Sequence, residues 1–165
     1  MTVTERSVIL AHPETLPAEA LSRVLSGGGY QVVARVGERR AILDAVAAYH
    51  PEFVLIHNSL LDQDLALLHQ LAQSPERKIA ILICDSQLES AATDVLLAGA
   101  RACLSCDDTP AHFLSALQFL SEGATIVSPG CNRVLKSSHS LPQRRTDSDD
   151  LSVRERQVAI LIGQG

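Results

Sequence analysis

Ile79-Ala80-Ile81-Leu82-Ile83 is an unbroken apolar run that ends on Cys84. Three more runs share its form: Val8-Ile9-Leu10-Ala11 ends on His12, Phe53-Val54-Leu55-Ile56 on His57, and Ala102-Cys103-Leu104-Ser105 on Cys106. A strand that is apolar at every position has both faces covered, as in a parallel sheet with helices above and below it. Helical spacing fills the intervals. Leu21, Val24 and Leu25 mark a helix over 17–26, and Gly27-Gly28-Gly29 stops it because glycine accepts a left-handed C-cap. Tyr30-Gln31-Val32-Val33-Ala34-Arg35-Val36 reads as strand, followed by an amphipathic helix through Ala41, Ile42, Ala45, Val46 and Tyr49. Further helices are expected around Leu65–Leu71, around Ala91–Leu96 and over 110–121, the last with Pro110 in its first turn. The five strand–helix alternations predict a doubly wound α/β sheet. In such a sheet ligands and chemistry sit at the carboxyl ends of the strands, which directs attention to His12, His57, Cys84 and Cys106.

A chain of 165 residues can hold one well-buried domain plus a tail. Hydrophobic residues make up 46% and aromatics only 3%, so the core is aliphatic. Fourteen basic against nineteen acidic residues leave a net charge of −5, which carries no nucleic-acid footprint. No apolar stretch approaches the ~20 residues of a membrane span, and the amino end lacks a signal-peptide pattern. A cytoplasmic protein without membrane contact is expected. Cys84, Cys103, Cys106 and Cys131 are too few and too unevenly spaced for a secreted disulfide framework, so they read as reduced thiols that are buried, redox-active or metal-binding. Cys131 reads as a free, partly exposed thiol.

After Ile126-Val127-Ser128-Pro129 the composition changes, and residues 136–150 carry almost nothing to bury. Ser152-Val153-Arg154-Glu155 is a capping box opening an apolar helix through Val158, Ala159, Leu161 and Ile162. One helix has no core of its own, so the chain is expected to stop inside a second domain. The expected divisions are a domain over 1–128, a linker over 129–150 and the start of a truncated all-α domain over 151–165.

Two segments carry a family resemblance. Leu151-Ser152-Val153-Arg154-Glu155-Arg156-Gln157-Val158, followed by Ile162-Gly163-Gln164-Gly165, resembles the opening of a LuxR-type helix-turn-helix domain. Residues 7–128 resemble the receiver domain of NarL/FixJ-type response regulators, through Ala98-Gly99-Ala100, Pro51-Glu52-Phe53-Val54-Leu55-Ile56 and Gly123-Ala124-Thr125-Ile126-Val127-Ser128-Pro129. The resemblance implies a flavodoxin-like sheet of five parallel strands in the order 2-1-3-4-5. It also implies a DNA-binding transcriptional regulator of a two-component system, reaching DNA through helices beyond residue 165.

A working receiver of that family needs five groups. Two acidic residues after the first strand hold Mg²⁺, an Asp after the third accepts the phosphoryl group, and a Thr or Ser and a Lys after the fourth and fifth bind its oxygens. The chemistry is electrostatic: a hard cation on oxygen ligands and a lysine neutralise the developing charge. Aligned strand by strand, this sequence has His12 and Pro13 at the acidic pair, His57 at the acceptor, Cys84 at the Thr/Ser and Cys106 at the Lys. All five positions depart. Asp62 and Asp64 follow His57 but are displaced from the acceptor position.

The expected function is therefore that of an atypical, phosphorylation-independent regulator with a pseudo-receiver. It would bind no Mg²⁺ and have no catalytic residue, and its receiver would serve dimerisation or a small-molecule or protein effector. In the competing reading, His12, His57, Cys84 and Cys106 converge into a His₂Cys₂ set that suits Zn²⁺ or haem, since imidazole and thiolate prefer borderline and soft metals. A regulatory disulfide between Cys84 and Cys106 is a third use of the same positions. The bland reading of all four is an emptied phosphate pocket filled by residues that pack. Cys103-Leu104-Ser105-Cys106 counts as a CxxC, but its first cysteine lies inside a strand rather than at a helix start, so a thioredoxin-like role is not expected. The remaining histidines, His50, His69, His112 and His139, look incidental.

Overall fold

The computed structural model describes residues 6–61, 64–74, 77–83, 91–128 and 131. Strands β1 (Arg6–Ala11), β2 (Tyr30–Val36), β3 (Phe53–His57), β4 (Lys78–Ile83), β5 (Ala102–Ser105) and β6 (Ile126–Val127) form one sheet in the order β2-β1-β3-β4-β5-β6. Every pairing is parallel. Helices α1 (Thr15–Gly27), α2 (Arg39–Tyr49), α3 (Ala66–Ala72), α4 (Ala91–Leu97) and α5 (Pro110–Ser121) connect the strands, with a short 3₁₀ turn at Asn58–Leu61 after β3.

Side chains alternate across a strand with a period of two, so an unbroken apolar run must feed two separate cores. Ile9, Val54, Ile56, Ile79, Ile81 and Cys103 point into one, with Ile42 and Val46 of α2, Leu68 and Leu71 of α3 and Val95 of α4. Val8, Leu10, Phe53, Leu55, Leu82 and Leu104 point into the other, with Leu25 of α1 and Phe113 and Leu117 of α5. Most of these side chains are fully enclosed. Each such burial stabilises the fold by roughly 1.5–3 kcal/mol.

The sheet has six strands rather than the expected five. Ile126 and Val127 extend it beyond β5: the Ile126 N–H donates to the Arg101 carbonyl at 2.9 Å and the Ser128 N–H to the Cys103 carbonyl at 2.9 Å. Two residues are too few to show a strand period, so only tertiary pairing reveals the element. The glycine run also differs in detail. Gly27 belongs to α1, Gly28 caps it at φ −89°, and the left-handed turn falls on Gly29 at φ +81°. At Ala98-Gly99-Ala100, Gly99 has φ +115°, and a Cβ there would lie 2.5 Å from the Ala72 Cβ of α3. Both conditions demand glycine. Among the described residues no helix is long and apolar enough to cross a membrane. The linker and capping-box helix expected over 129–165 lie outside the described residues, Cys131 excepted.

Candidate functional site

The strand order reverses direction between β1 and β3, because β1 connects onward to β2 on one side while β3 lies on the other. A crevice opens at the carboxyl ends of the two strands at such a switch point. The register Leu10↔Leu55 and Ala11↔Ile56 brings the next residues, His12 and His57, side by side. Their ring centroids are 4.5 Å apart with the planes at 61°, an edge-on contact. His12 is buried, while His57 is half-buried.

Each imidazole is held by the chain just beyond it. The Glu14 N–H donates to His12 Nδ1 at 3.0 Å. The Ser59 N–H donates to His57 Nδ1 at 3.2 Å, and Ser59 Oγ lies 2.8 Å from the same nitrogen. A ring nitrogen that accepts a backbone N–H carries no proton, so both neutral rings bear theirs on Nε2. Burial lowers the pKa of both, and charge on His12 lowers that of His57 further. The crevice thus presents two neutral imidazoles where a receiver would need carboxylates.

That tautomer bears on metal ligation. A cation on either Nε2 would drive the proton to Nδ1, directly against the N–H of Glu14 or Ser59, and the Nδ1 lone pairs are already engaged. Cys106, the residue after β5, is exposed and disulfide-bonded, so it has no thiolate to offer. Among the described residues no group of three or more His, Cys, Asp or Glu side chains could hold a metal ion. Cys84 lies outside the described residues. As arranged, the described members of the set, His12, His57 and Cys106, are not gathered as a metal-binding group.

Pro13 follows His12 and is exposed. Asp64 is committed elsewhere: its carboxylate accepts the Ala66 N–H at 2.9 Å and pairs with Arg39 at 2.7 Å. The Ala66 hydrogen bond and Arg39 hold that carboxyl below its usual range. It caps α3 and ties it to α2, away from the acceptor position. Asp62 is outside the described residues.

The carboxyl end of β5 is wrapped by hydrogen bonds of its own. The Ser105 N–H is shared between Asp108 Oδ2 at 2.8 Å and Ser128 Oγ at 3.0 Å. Cys103 faces the helix layer and is fully enclosed, as expected of a strand interior. Cys131 corrects the expectation of a partly exposed thiol: it is only 4% exposed and joins the same core as Cys103. Burial pushes the Cys131 thiol up to about 11 and the Cys103 thiol higher still, so both are inert thiols at neutral pH. Sequence reasoning missed Glu14, Ser59, Asp108 and Ser128. For Ser59 the signal was present, a serine two residues after a strand-end histidine, which is turn spacing.

This is the receiver fold of response regulators. No family model matches the chain, and no curated protein matches it. Among solved structures, a LuxR-family two-component response regulator from Aurantimonas sp. SI85-9A1 superposes with a TM-score of 0.73 at 18% identity, over 82% of this chain and 98% of that one. The receiver domain of the putative NarL regulator from Mycobacterium tuberculosis gives 0.65 at 19% identity, over 72% and 98%. A structure of two RcsB dimers bound to two parallel DNAs gives 0.71 at 16%, over 81% and 69%.

Proposed function

We propose that this protein is a cytoplasmic transcriptional regulator of the LuxR/NarL response-regulator kind, not an enzyme, whose receiver works without aspartyl phosphorylation. One observation carries the reading: the acceptor position at the end of β3 holds His57, and its neighbour across the crevice is His12. Two neutral imidazoles offer neither a carboxylate nucleophile nor hard oxygen ligands, so no acyl phosphate forms on His57 and Mg²⁺ finds no carboxylate at positions 12 and 57. The receiver then acts through a fixed conformation, as a homodimerisation module open to an effector. DNA contact falls to helices beyond the receiver, and the likeness to an RcsB assembly that sits on DNA as dimers supports that division of labour. The test is a mobility-shift titration with the complete helix-turn-helix domain attached, with and without acetyl phosphate and Mg²⁺. The reading expects sequence-selective binding with the same affinity in both arms. A complete regulator that bound no DNA, or bound only after acetyl phosphate, would refute it.

A thiol-redox reading is favoured by the disulfide at Cys106. Cys103 and Cys131 form no disulfide, and we propose Cys84 as the partner. A reducing dithiol would donate two electrons and two protons to the bridge, giving two thiols and the oxidised dithiol. Alkylation mass spectrometry before and after reduction should then show exactly two additional reactive cysteines, at 84 and 106.

A further inference from the structure

We propose that the His57 imidazole is a proton sensor: one proton from solvent, taken up in weakly acidic conditions, remodels the 3₁₀ turn Asn58–Leu61 and through it the seating of α2 and α3. The device lies in the direction of one hydrogen bond. At neutral pH His57 Nδ1 accepts the Ser59 N–H at 3.2 Å. A proton on Nδ1 turns that acceptor into a donor, and two N–H groups cannot share the position. Ser59 Oγ already lies 2.8 Å from the same nitrogen, where it can accept the new N–H. Protonation thus releases the backbone N–H of the turn and substitutes a charge-assisted bond to its hydroxyl.

The pair takes one proton, and His57 takes it. With ring centroids 4.5 Å apart, a charge on one ring opposes a charge on the other. His12 is buried and its Nδ1 accepts the Glu14 N–H at 3.0 Å, whereas His57 is half-buried beside the Ser59 hydroxyl. Burial opposes charge on either ring, while Glu14, on the turn after β1, favours it on both. Among the described residues, the other ionisable groups near the pair have partners. Asp108, after β5, lines the cavity that reaches His12 and accepts the Ser105 N–H. Arg39 and Asp64 face the far end of the turn, paired with each other. Leu82 of β4, opposite His57, is apolar. That far end couples the turn to its surroundings. Leu60 and Leu61 are buried in the core that α2 and α3 share. The Leu61 carbonyl accepts both Arg39 Nη1 at 2.7 Å and the Asp64 N–H at 2.8 Å. Helix α5 packs in the other core, so the change leaves it in place.

The proton is the effector that the phosphorylation-independent reading leaves open, and the inference rests on that reading only for this role. The two fail separately, since histidine titration and acetyl-phosphate labelling are independent measurements. The experiment is an NMR titration of the ¹⁵N-labelled full chain from pH 8 to pH 5, with EDTA present to exclude metal. In the wild type, His57 should take up one proton with a midpoint below 6.5. The Ser59 amide and Arg39 guanidinium signals should move with the same midpoint. Ser59→Ala, at an exposed position, should lower that midpoint by about half a pH unit or more, because the charged ring loses its acceptor. His57→Gln should abolish the titration of both reporter signals. A His57 ring that stays neutral down to pH 5 would overturn the inference, as would reporter signals that do not follow it. An unchanged midpoint in S59A, or the same titration persisting in H57Q, would overturn it as well.

Discussion

A single substitution of type, imidazole for carboxylate, changes what the strand ends can do. His12 and His57 are neutral in the fold because burial opposes their charge, and each would repel the other if protonated. Their folded pKa values lie below the ordinary 6.5. The unfolded chain therefore takes up protons at a higher pH than the folded one. Their contribution to stability is complete above about pH 6.5 and is lost as pH falls through the folded values. Urea unfolding between pH 8 and pH 5 should show stability falling below that point, and the fall should shrink in a His12→Gln/His57→Gln variant. A profile of equal slope in both proteins would contradict the pair's role. The same chemistry predicts that His57→Asp alone will not restore phosphorylation. It supplies an acceptor but neither the metal carboxylates at 12 and 13 nor the lysine at 106, so acetyl phosphate should leave its mass unchanged.

At the scale of elements, close approaches decide what each position tolerates. Gly99→Ala forces a Cβ into the Ala72 side chain and a side chain into a positive-φ backbone. Denaturant unfolding should report a loss of about 1–3 kcal/mol or more. Thr109 caps α5, its Oγ1 accepting the His112 N–H at 3.3 Å, with Pro110 next in line. Thr109→Ala should cost about 1 kcal/mol. If neither variant shifted the midpoint, these contacts would not be holding α4 and α5 in place. The same elements show what could be read from sequence. Runs such as Ile79–Ile83 and Phe53–Ile56 declared a doubly covered parallel sheet, because burial on both faces leaves no polar position. The pairing of His12 with His57 followed from their common place at strand ends. The second strand was legible from its apolar residues and the start of α5 from Pro110. In contrast, α1 begins at Thr15, ahead of the expected 17–26, with no side-chain cap to mark it. β6 was not legible, since a two-residue strand exists only through its bonds to β5. The burial of Cys131 comes from long-range packing in the core that holds Cys103, which no local pattern encodes. Nor could sequence fix the imidazole tautomers, which depend on N–H groups delivered by the following turns.

For the molecule as a whole, the proposed receiver without a phosphoryl switch would have one arrangement fixed by packing alone. The reading predicts a constitutive homodimer through α5, where Phe119 is 47% exposed. The strand-five surface expected beside it is closed off, because β6 covers the β5 edge. Phe119→Glu should weaken dimerisation by at least about tenfold in sedimentation equilibrium. A wild-type chain that stayed monomeric at every accessible concentration would rule the assembly out.

The measurement that bears most directly on the central claim is intact-mass spectrometry after incubation with acetyl phosphate and Mg²⁺, paired with a beryllofluoride binding titration. With His57 at the acceptor position and His12 and Pro13 where a metal would be held, the protein should keep its unmodified mass and show no beryllofluoride binding. An acid-labile phosphoryl adduct on the wild-type chain would contradict the account, because it would mean that the crevice performs the phosphoryl chemistry that the proposed function denies it.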